Sequence, residues 1–292
     1  MTPTQAALAA LKGRSDLINA TAAELRQLLE EADQAVLAIL AAAPTDYQTW
    51  YLPQLRAEIR RVLVALGDEA AAAVDAGEVN AWRAGSALVN DVVAAAGVRT
   101  VLPAIDVQQL VAMRAFLTEK MRDVAVDALN AINGQLGLVV IGAQTPFDAI
   151  KRISKTLKAD SYNRARTIVH TELGRAFSTA NQIRMEQSAA VVPGLKKRWL
   201  KSGKREPRAT HLAIHGQEQP VDKPFVLEGG AVTMMYPHDP TAPARHTINC
   251  GCAAVPVVPG WKRTIKDPDA DEVERGQQAL KAATRAGPQG AA

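Results

Sequence analysis

Hydrophobic residues recur at helical spacing through the first 140 residues. From Ser15 to Ala43, leucine, isoleucine and valine return every three or four positions, which predicts one long amphipathic helix. Further runs of this kind end at Gly77, at Gly97 and at the pair Asn133-Gly134, and glycine is a common residue just beyond a helix end. Because no segment alternates with period two, we predict an alanine-rich helical region over 1–140, either a bundle or an extended arm.

The pattern changes after residue 145. Thr145, Pro146 and Asp148 are residue types that begin a helix, and helical spacing continues over about 162–190. Shorter apolar segments with turn residues between them follow and predict strands: a strand at 195–202, a hairpin at 224–237 that turns on glycines, and extended chain at 246–259.

The predicted fold class is therefore α+β, with a long N-terminal helical region followed by a small mixed α/β module with short antiparallel strands. We predict three parts of the chain: the helical region 1–140, the module 145–262 and a flexible tail 263–292. The boundary lies between Asn133 and Thr145.

The composition of the chain argues against several classes of protein: disordered, membrane-spanning, secreted and disulfide-rich. The chain has 292 residues, of which 48% are hydrophobic, so wholesale disorder is excluded. We expect no membrane span, because no run approaches ~20 apolar residues, and no secretory signal, because the first residues lack a basic start and an apolar run. Two cysteines separated by one residue do not make a disulfide framework, which favours the cytoplasm or a particle assembled there.

Charge is unevenly distributed along the chain. The formal net charge is +4, but residues 1–97 carry −5 and the remainder carries +9. The C-terminal two-thirds therefore suits an anionic partner, and the first third does not.

All five histidines and both cysteines lie between His170 and Cys252. His211 and His215 are four residues apart, which places them on one face of a helical turn, and Cys250 and Cys252 share a face of an extended chain. Together these four residues are the donor set of a closed, structural zinc site. The alternative is that the cysteines are small buried residues beside a turn and that the histidines form local hydrogen bonds.

The sequence predicts no enzymatic activity. A zinc peptidase motif needs glutamate directly after its first histidine, and Leu212 stands there. His246 is close to Cys250 in sequence, but no further group of a nucleophilic site accompanies it. No glycine-rich phosphate loop precedes a helix.

A basic segment lies just before the histidine pair. Lys196, Lys197, Arg198 and Lys201 surround Trp199. Cations at this density can neutralise phosphates and an indole can stack on a base, so the segment is a candidate non-specific DNA contact. A solvated loop beside a core tryptophan explains it equally well.

Residues from about 164 to 257 resemble the phage Mu F-like minor head proteins, also called the phage head morphogenesis family. The matching positions, in order, are Arg166, Thr171, Glu172, Asn181, Trp199, Arg208, His211, Gly216, Pro237, Asn249, Cys250 and Cys252. Two positions depart from the pattern: Gly251 stands where the family usually has arginine, and His215 stands where an acid is common.

The resemblance implies a virion component of a tailed bacteriophage or prophage. Such a minor head protein associates with the portal protein and other head proteins during assembly in the host cytoplasm, and influences DNA packaging or ejection. One alternative is a nucleic-acid-processing or toxin-like enzyme built on the same module. We expect such an enzyme to carry a further domain after residue 262, where only 30 residues remain. A second alternative is a zinc-stabilised DNA-binding protein.

Overall fold

The computed structural model describes residues 1–43, 51–98, 101–258, 261 and 270–285. Its N-terminal part consists of long helices, namely α1 (Pro3–Ala42), α2 (Leu52–Ala95) and α3 (Gln108–Val140). Within the described ranges, no helix combines the length and the apolar character needed to cross a membrane.

Two predicted helix ends are wrong. Gly77 lies inside α2, and the pair Asn133-Gly134 lies inside α3. A glycine in a helix interior costs about 1 kcal/mol relative to alanine, and burial of the flanking side chains offsets this cost. Val74 and Ile132, both with an exposed fraction of 0%, are such flanking residues.

The start of the next helix is confirmed. Helix α4 (Pro146–Lys155) begins with proline, and the Thr145 side chain accepts a hydrogen bond of 3.1 Å from the backbone N–H of Asp148. A π-helical segment (Thr156–Ser161) leads from α4 into α5 (Tyr162–Ala189).

The C-terminal part contains two small antiparallel sheets. One has the strand order β2-β1-β5, and the other is the hairpin β3-β4. The hairpin turns through Gly229 and Gly230, whose φ angles of 67° and 105° favour glycine. The strands are β1 (Lys196–Leu200), β2 (Glu218–Pro220), β3 (Phe225–Leu227), β4 (Val232–Met234) and β5 (Ala253–Val257).

Short helices complete this part of the fold. They are α6 (Ala209–Leu212), α7 (Ala244–Thr247) and α8 (Ala270–Arg285). The fold class is thus α+β as predicted. Of the predicted flexible tail 263–292, residues 263–269 and 286–292 lie outside the described residues.

The chain divides into two compact units, each built from separate segments. The first combines 1–16, 79–107 and 173–292, and the second combines 17–78 and 108–172. The predicted division into 1–140, 145–262 and 263–292 follows the order of the sequence instead, and its claim that these parts are separable stays a prediction.

The second unit has an apolar core beside a buried carboxylate that pairs with a partly exposed lysine. Leu55, Ile59 and Ile132 are completely buried in this core. The carboxylate of Asp33, with an exposed fraction of 0%, contacts the Lys158 ammonium of the π-helical segment at 2.7 Å. A buried carboxylate needs such a partner, because transferring it unpaired from water is costly.

In the first unit, α2 and α5 approach each other at Gly85. A Cβ atom at Gly85 would overlap the backbone carbonyl of Phe177. Phe177 itself is buried, with an exposed fraction of 1%. The absence of a side chain at Gly85 therefore permits this helix contact.

Strand β1 carries a buried lysine. Lys197 has an exposed fraction of 0%, and its ammonium donates to the Met235 carbonyl at 2.6 Å and to Gln182 Oε1 at 3.2 Å. Burial lowers the pKa of Lys197 to about 8, against the opposing effect of Glu186 and other nearby carboxylates. The strand's core face is thus partly polar, and the buried Lys197 ammonium is hydrogen-bonded there.

We expect Gly85→Ala to lower the free energy of unfolding by about 2 kcal/mol or more, because overpacking against a fixed backbone forces the helices apart. The measurement is chemical denaturation of the full chain. Gly13→Ala is the matched control: its Cβ would meet nothing within 4 Å, so stability should rise by about 0.5–1 kcal/mol. Equal effects of the two substitutions on the free energy of unfolding would contradict the close approach of α2 and α5 at Gly85.

We expect Lys197 to make stability rise with pH between about 8 and 10.5. Below this range the Lys197 amine is protonated in both the folded and the unfolded chain. Within the range the unfolded chain binds this proton and the folded chain does not, so the free energy of unfolding increases with pH. The gain is at most about 3 kcal/mol, at about 1.4 kcal/mol per pKa unit. The measurement is the difference in unfolding free energy between wild type and Lys197→Met at several pH values. Parallel profiles would show that Lys197 does not titrate in this way.

Candidate metal centre

Three buried side chains meet in the first unit. The ligand atoms of His211, Cys250 and Cys252 all lie within 4.8 Å of one another. Their exposed fractions are 1%, 5% and 2%. They are the cluster of metal-capable side chains found among the described residues, and we call them the His-Cys-Cys cluster.

The spacing of the cluster suits tetrahedral zinc. His211 Nδ1 lies 3.6 Å from Cys250 Sγ and 3.5 Å from Cys252 Sγ. Zinc bonds of about 2.1 Å to nitrogen and about 2.3 Å to sulfur, at a tetrahedral angle, place the two ligand atoms about 3.6 Å apart. A thiol-to-imidazole hydrogen bond has a similar length, but the single lone pair on Nδ1 cannot accept well-directed bonds from both thiols. A cation between the three atoms satisfies all of them.

Local backbone geometry presents these side chains. His211 lies on the short helix α6, and the cysteines occupy the turn that leads into β5. Asn249, just before the turn, has φ 52°, a left-handed conformation that asparagine tolerates better than most residues. Gly216 has φ 84°, and its N–H donates to the Trp199 carbonyl at 2.9 Å.

A guanidinium from α1 holds the cysteine turn. Arg14, whose exposed fraction is 7%, donates to the Gly251 carbonyl at 2.8 Å and to the Cys252 carbonyl at 3.0 Å. Its guanidinium carbon lies 5.2 Å from the centre of the Phe177 ring. Sequence reasoning missed Arg14, because it lies 238 residues from Cys252 in the chain and no local motif marks it.

A series of polar contacts continues away from the cluster. His211 Nε2 lies 3.1 Å from His246 Nδ1, and His246 Nε2 lies 3.1 Å from Glu228 Oε1. The other Glu228 oxygen accepts from Arg245 at 3.0 Å. This hydrogen bond, chiefly, holds the pKa of Glu228 below its usual range. Burial lowers the pKa of His246, and the neighbouring His211 acts in the same direction.

The two cysteines perturb each other's ionisation. Contact with Cys252 lowers the pKa of Cys250 well below its ordinary range. The same contact, together with burial, raises the pKa of Cys252, and the Arg14 guanidinium acts in the opposite direction.

The predicted ligand His215 is not part of the cluster. Its Nδ1 lies 3.4 Å from both the Lys201 N–H nitrogen and the Trp199 carbonyl oxygen. Because α6 ends at Leu212, the four-residue spacing does not bring the two histidines to one face as a continuous helix would. The structure thus brings together three of the four predicted residues and places His215 outside the group, and metal binding by these three stays a prediction.

His238 also lies outside the cluster. It is fully buried, and a Cβ at Gly174 would come within 2.5 Å of its Nε2. Burial, chiefly, lowers the pKa of His238 to about 4.

The predicted DNA-contacting residues do not form one exposed surface. Lys197 is fully buried and Arg198 has an exposed fraction of 5%, whereas Lys196 and Lys201 are half-buried. Strand β1 lies between β2 and β5 in the sheet, and all of its residues from Lys197 to Leu200 are buried. Fewer basic side chains of this segment are therefore exposed on the surface than its sequence indicated.

Other family positions surround the cluster. Trp199 is fully buried and meets the His211 ring edge-on at 5.3 Å. Asn181 donates to the Ala254 carbonyl of β5 at 3.0 Å, and Arg208 donates to the Ile248 carbonyl at 2.5 Å. Pro237 is also buried.

The earlier family positions belong to the second unit. Arg166 is exposed there, and Thr171 donates to the Thr167 carbonyl at 2.8 Å. Glu172, with an exposed fraction of 4%, pairs with Lys120 at 3.4 Å.

Known proteins match part of this chain. The uncharacterized protein YqbB of Bacillus subtilis is 36% identical over 114 residues, which are 38% of this chain and 36% of that protein. The NAD(+)--arginine ADP-ribosyltransferase EFV of Enterococcus faecalis is 30% identical over 119 residues, 39% of this chain and 23% of that protein. The matches thus span about a third or less of these relatives. No solved structure matches significantly.

The family model described as Phage Mu protein F like protein matches residues 143–255. This range contains the His-Cys-Cys cluster and nearly all of the segment whose motifs indicated the same family. Residues 143–255 of this chain are therefore similar to the Phage Mu protein F like family, which is the resemblance that the motifs indicated.

Proposed function

We propose that this protein is a minor head protein of a tailed bacteriophage or prophage. It associates with the portal protein during head assembly in the host cytoplasm, remains in the head, and influences DNA packaging or ejection. The observation that carries the proposal is the family match over residues 143–255. The protein acts here as a structural component and not as an enzyme.

The architecture is consistent with an assembly role. Helices α1, α2 and α3 are 40, 44 and 33 residues long, which gives the chain long helical faces for contacts with other proteins. Direct DNA contact by Lys196, Lys197, Arg198 and Lys201 is not part of the proposal, because Lys197 and Arg198 are buried. An influence on packaging or ejection would act through the portal.

The alternative function is a toxin-like enzyme that shares this module. It is favoured by the match to EFV, whose name describes an NAD(+)--arginine ADP-ribosyltransferase. Incubation of the full chain with NAD(+) and an arginine-containing acceptor separates the two functions. Formation of ADP-ribosylated acceptor would overturn the structural proposal in favour of this alternative.

We expect the chain to co-purify with phage heads at a few copies per particle. Mass spectrometry of purified heads measures its presence, and cross-linking measures whether the portal is its neighbour. Particles from a strain that lacks the gene should package or eject DNA less efficiently. As the matched control, expression of the Gly13→Ala chain in that strain should restore DNA packaging and ejection. Recovery of the chain only in the soluble fraction, with no defect in the deletion strain, would contradict the proposal.

We propose further that the His-Cys-Cys cluster binds one structural zinc ion. Zinc takes nitrogen and sulfur ligands in tetrahedral sites, and the described residues supply one imidazole and two thiols in the required spacing. The fourth ligand would come from solvent or a partner. A bound dication would deprotonate both thiols and tie α6 to the turn before β5, which stabilises a module with short strands and little apolar core.

We expect tagless protein to contain about one zinc per chain, and chelator to lower its melting temperature. Cys250→Ser and Cys252→Ser should remove the zinc and the chelator effect together, because each deletes a ligand. His215→Ala is the matched control: its ring lies beside β1, so zinc content should not change. A zinc content near zero, together with a melting temperature that chelator does not change, would show that the cluster is held by hydrogen bonds and packing without metal.

A further inference from the structure

The His-Cys-Cys cluster is connected to a carboxylate through a second histidine. Both contacts in this series, His211 Nε2 to His246 Nδ1 and His246 Nε2 to Glu228 Oε1, are 3.1 Å long. The two imidazole rings meet edge to edge, with 5.3 Å between their centres and 15° between their planes. His246 has an exposed fraction of 1%, so its ring is shielded from solvent.

The positions of the hydrogens along this series follow from its two ends. The Glu228 carboxylate can only accept, so its 3.1 Å contact with His246 Nε2 favours the tautomer that carries the hydrogen on Nε2. In that tautomer His246 Nδ1 has a lone pair, which accepts from His211 Nε2. His211 therefore carries its hydrogen on Nε2 and presents the Nδ1 lone pair to the two cysteine sulfurs. This is the tautomer in which His211 Nδ1 can bind a cation.

We propose that His246 and Glu228 are positioning residues that fix the metal-binding tautomer and orientation of His211. The inference rests on the zinc site proposed above and adds to it a carboxylate–histidine–histidine series. Partners of this kind behind a metal ligand typically contribute about 10–100-fold to metal affinity. From the sequence, His246 was considered at the metal site only as a possible substitute for His215, and Glu228 was not predicted as part of the site.

The side chains around the series provide a matched control. Arg245 contacts the other oxygen of Glu228, and its own side chain is 60% exposed, whereas that of Glu228 is 20% exposed. Removal of Arg245 therefore deletes a hydrogen bond to the same carboxylate without interrupting the series that leads to His211. A surface ion pair of this kind contributes little to stability.

The experiment measures zinc affinity of the full chain by competition with a chromophoric chelator. His246→Phe keeps an aromatic ring at this position but removes the nitrogen that accepts from His211. Glu228→Gln removes the anionic acceptor that lies next to His246. We expect each to weaken zinc binding by about 10–100-fold. Arg245→Gln should remain within about twofold of wild type, because the contacts of His246 are unchanged.

Two further measurements separate positioning from a merely structural role. In excess chelator, the melting temperatures of His246→Phe and Glu228→Gln should equal that of wild type. The reason is that these residues affect the metal affinity of the site and not the stability of the metal-free protein. With saturating Co(II), both variants should keep the thiolate charge-transfer absorption of wild type, whereas Cys250→Ser should lose part of it. A fall in apo stability that accounts for the whole loss of affinity would overturn the proposal.

The outcomes also separate this inference from the zinc site itself. If wild type binds no zinc or cobalt, the metal site fails and the positioning role fails with it. If wild type binds zinc and the two variants bind it equally well, the zinc site stands and the positioning role is overturned.

Discussion

The contact of one imidazole nitrogen with two buried sulfurs is the constraint that organises the first unit. His211 and the pair Cys250 and Cys252 come from segments about forty residues apart, and the elements between them are strands of three residues and helices of four. Elements this short have few apolar contacts, so their stability depends on tertiary contacts rather than on their own propensity. The His-Cys-Cys cluster supplies such a contact at the centre.

Polar groups around the cluster are buried together with their partners. Arg14 donates to two carbonyls of the cysteine turn, and Lys197 donates to a carbonyl and an amide oxygen. Burying a charge without such partners is costly, so each of these side chains specifies the position of the backbone that it contacts. A core that combines few large apolar residues with paired polar ones is sensitive to geometry, because removing either partner leaves the other unsatisfied.

The sequence predicted local features more reliably than long-range ones. The capped start at Thr145, the strand around Trp199 and the hairpin at Gly229 depend on neighbouring residues, and all three are present. Gly77 was misjudged because the cost of a glycine in a helix is small compared with the packing on either side of it. His215 was misjudged because a four-residue spacing shares a face only while the helix continues, and α6 ends after His211.

The contribution of Arg14 could not be predicted, since it depends on a segment outside the family match. Gly251 stands where the resembling family usually has arginine, and a Cβ at this position would come within 2.7 Å of the Ser202 Cβ. Ser202 therefore fills the space that a side chain at 251 would need. The guanidinium that contacts this turn instead comes from α1, and its hydrogen bonds make residues 1–16 part of the same unit as the cysteines. For this chain, a boundary drawn at the edge of the family match would separate the cysteine turn from one of the groups that holds it.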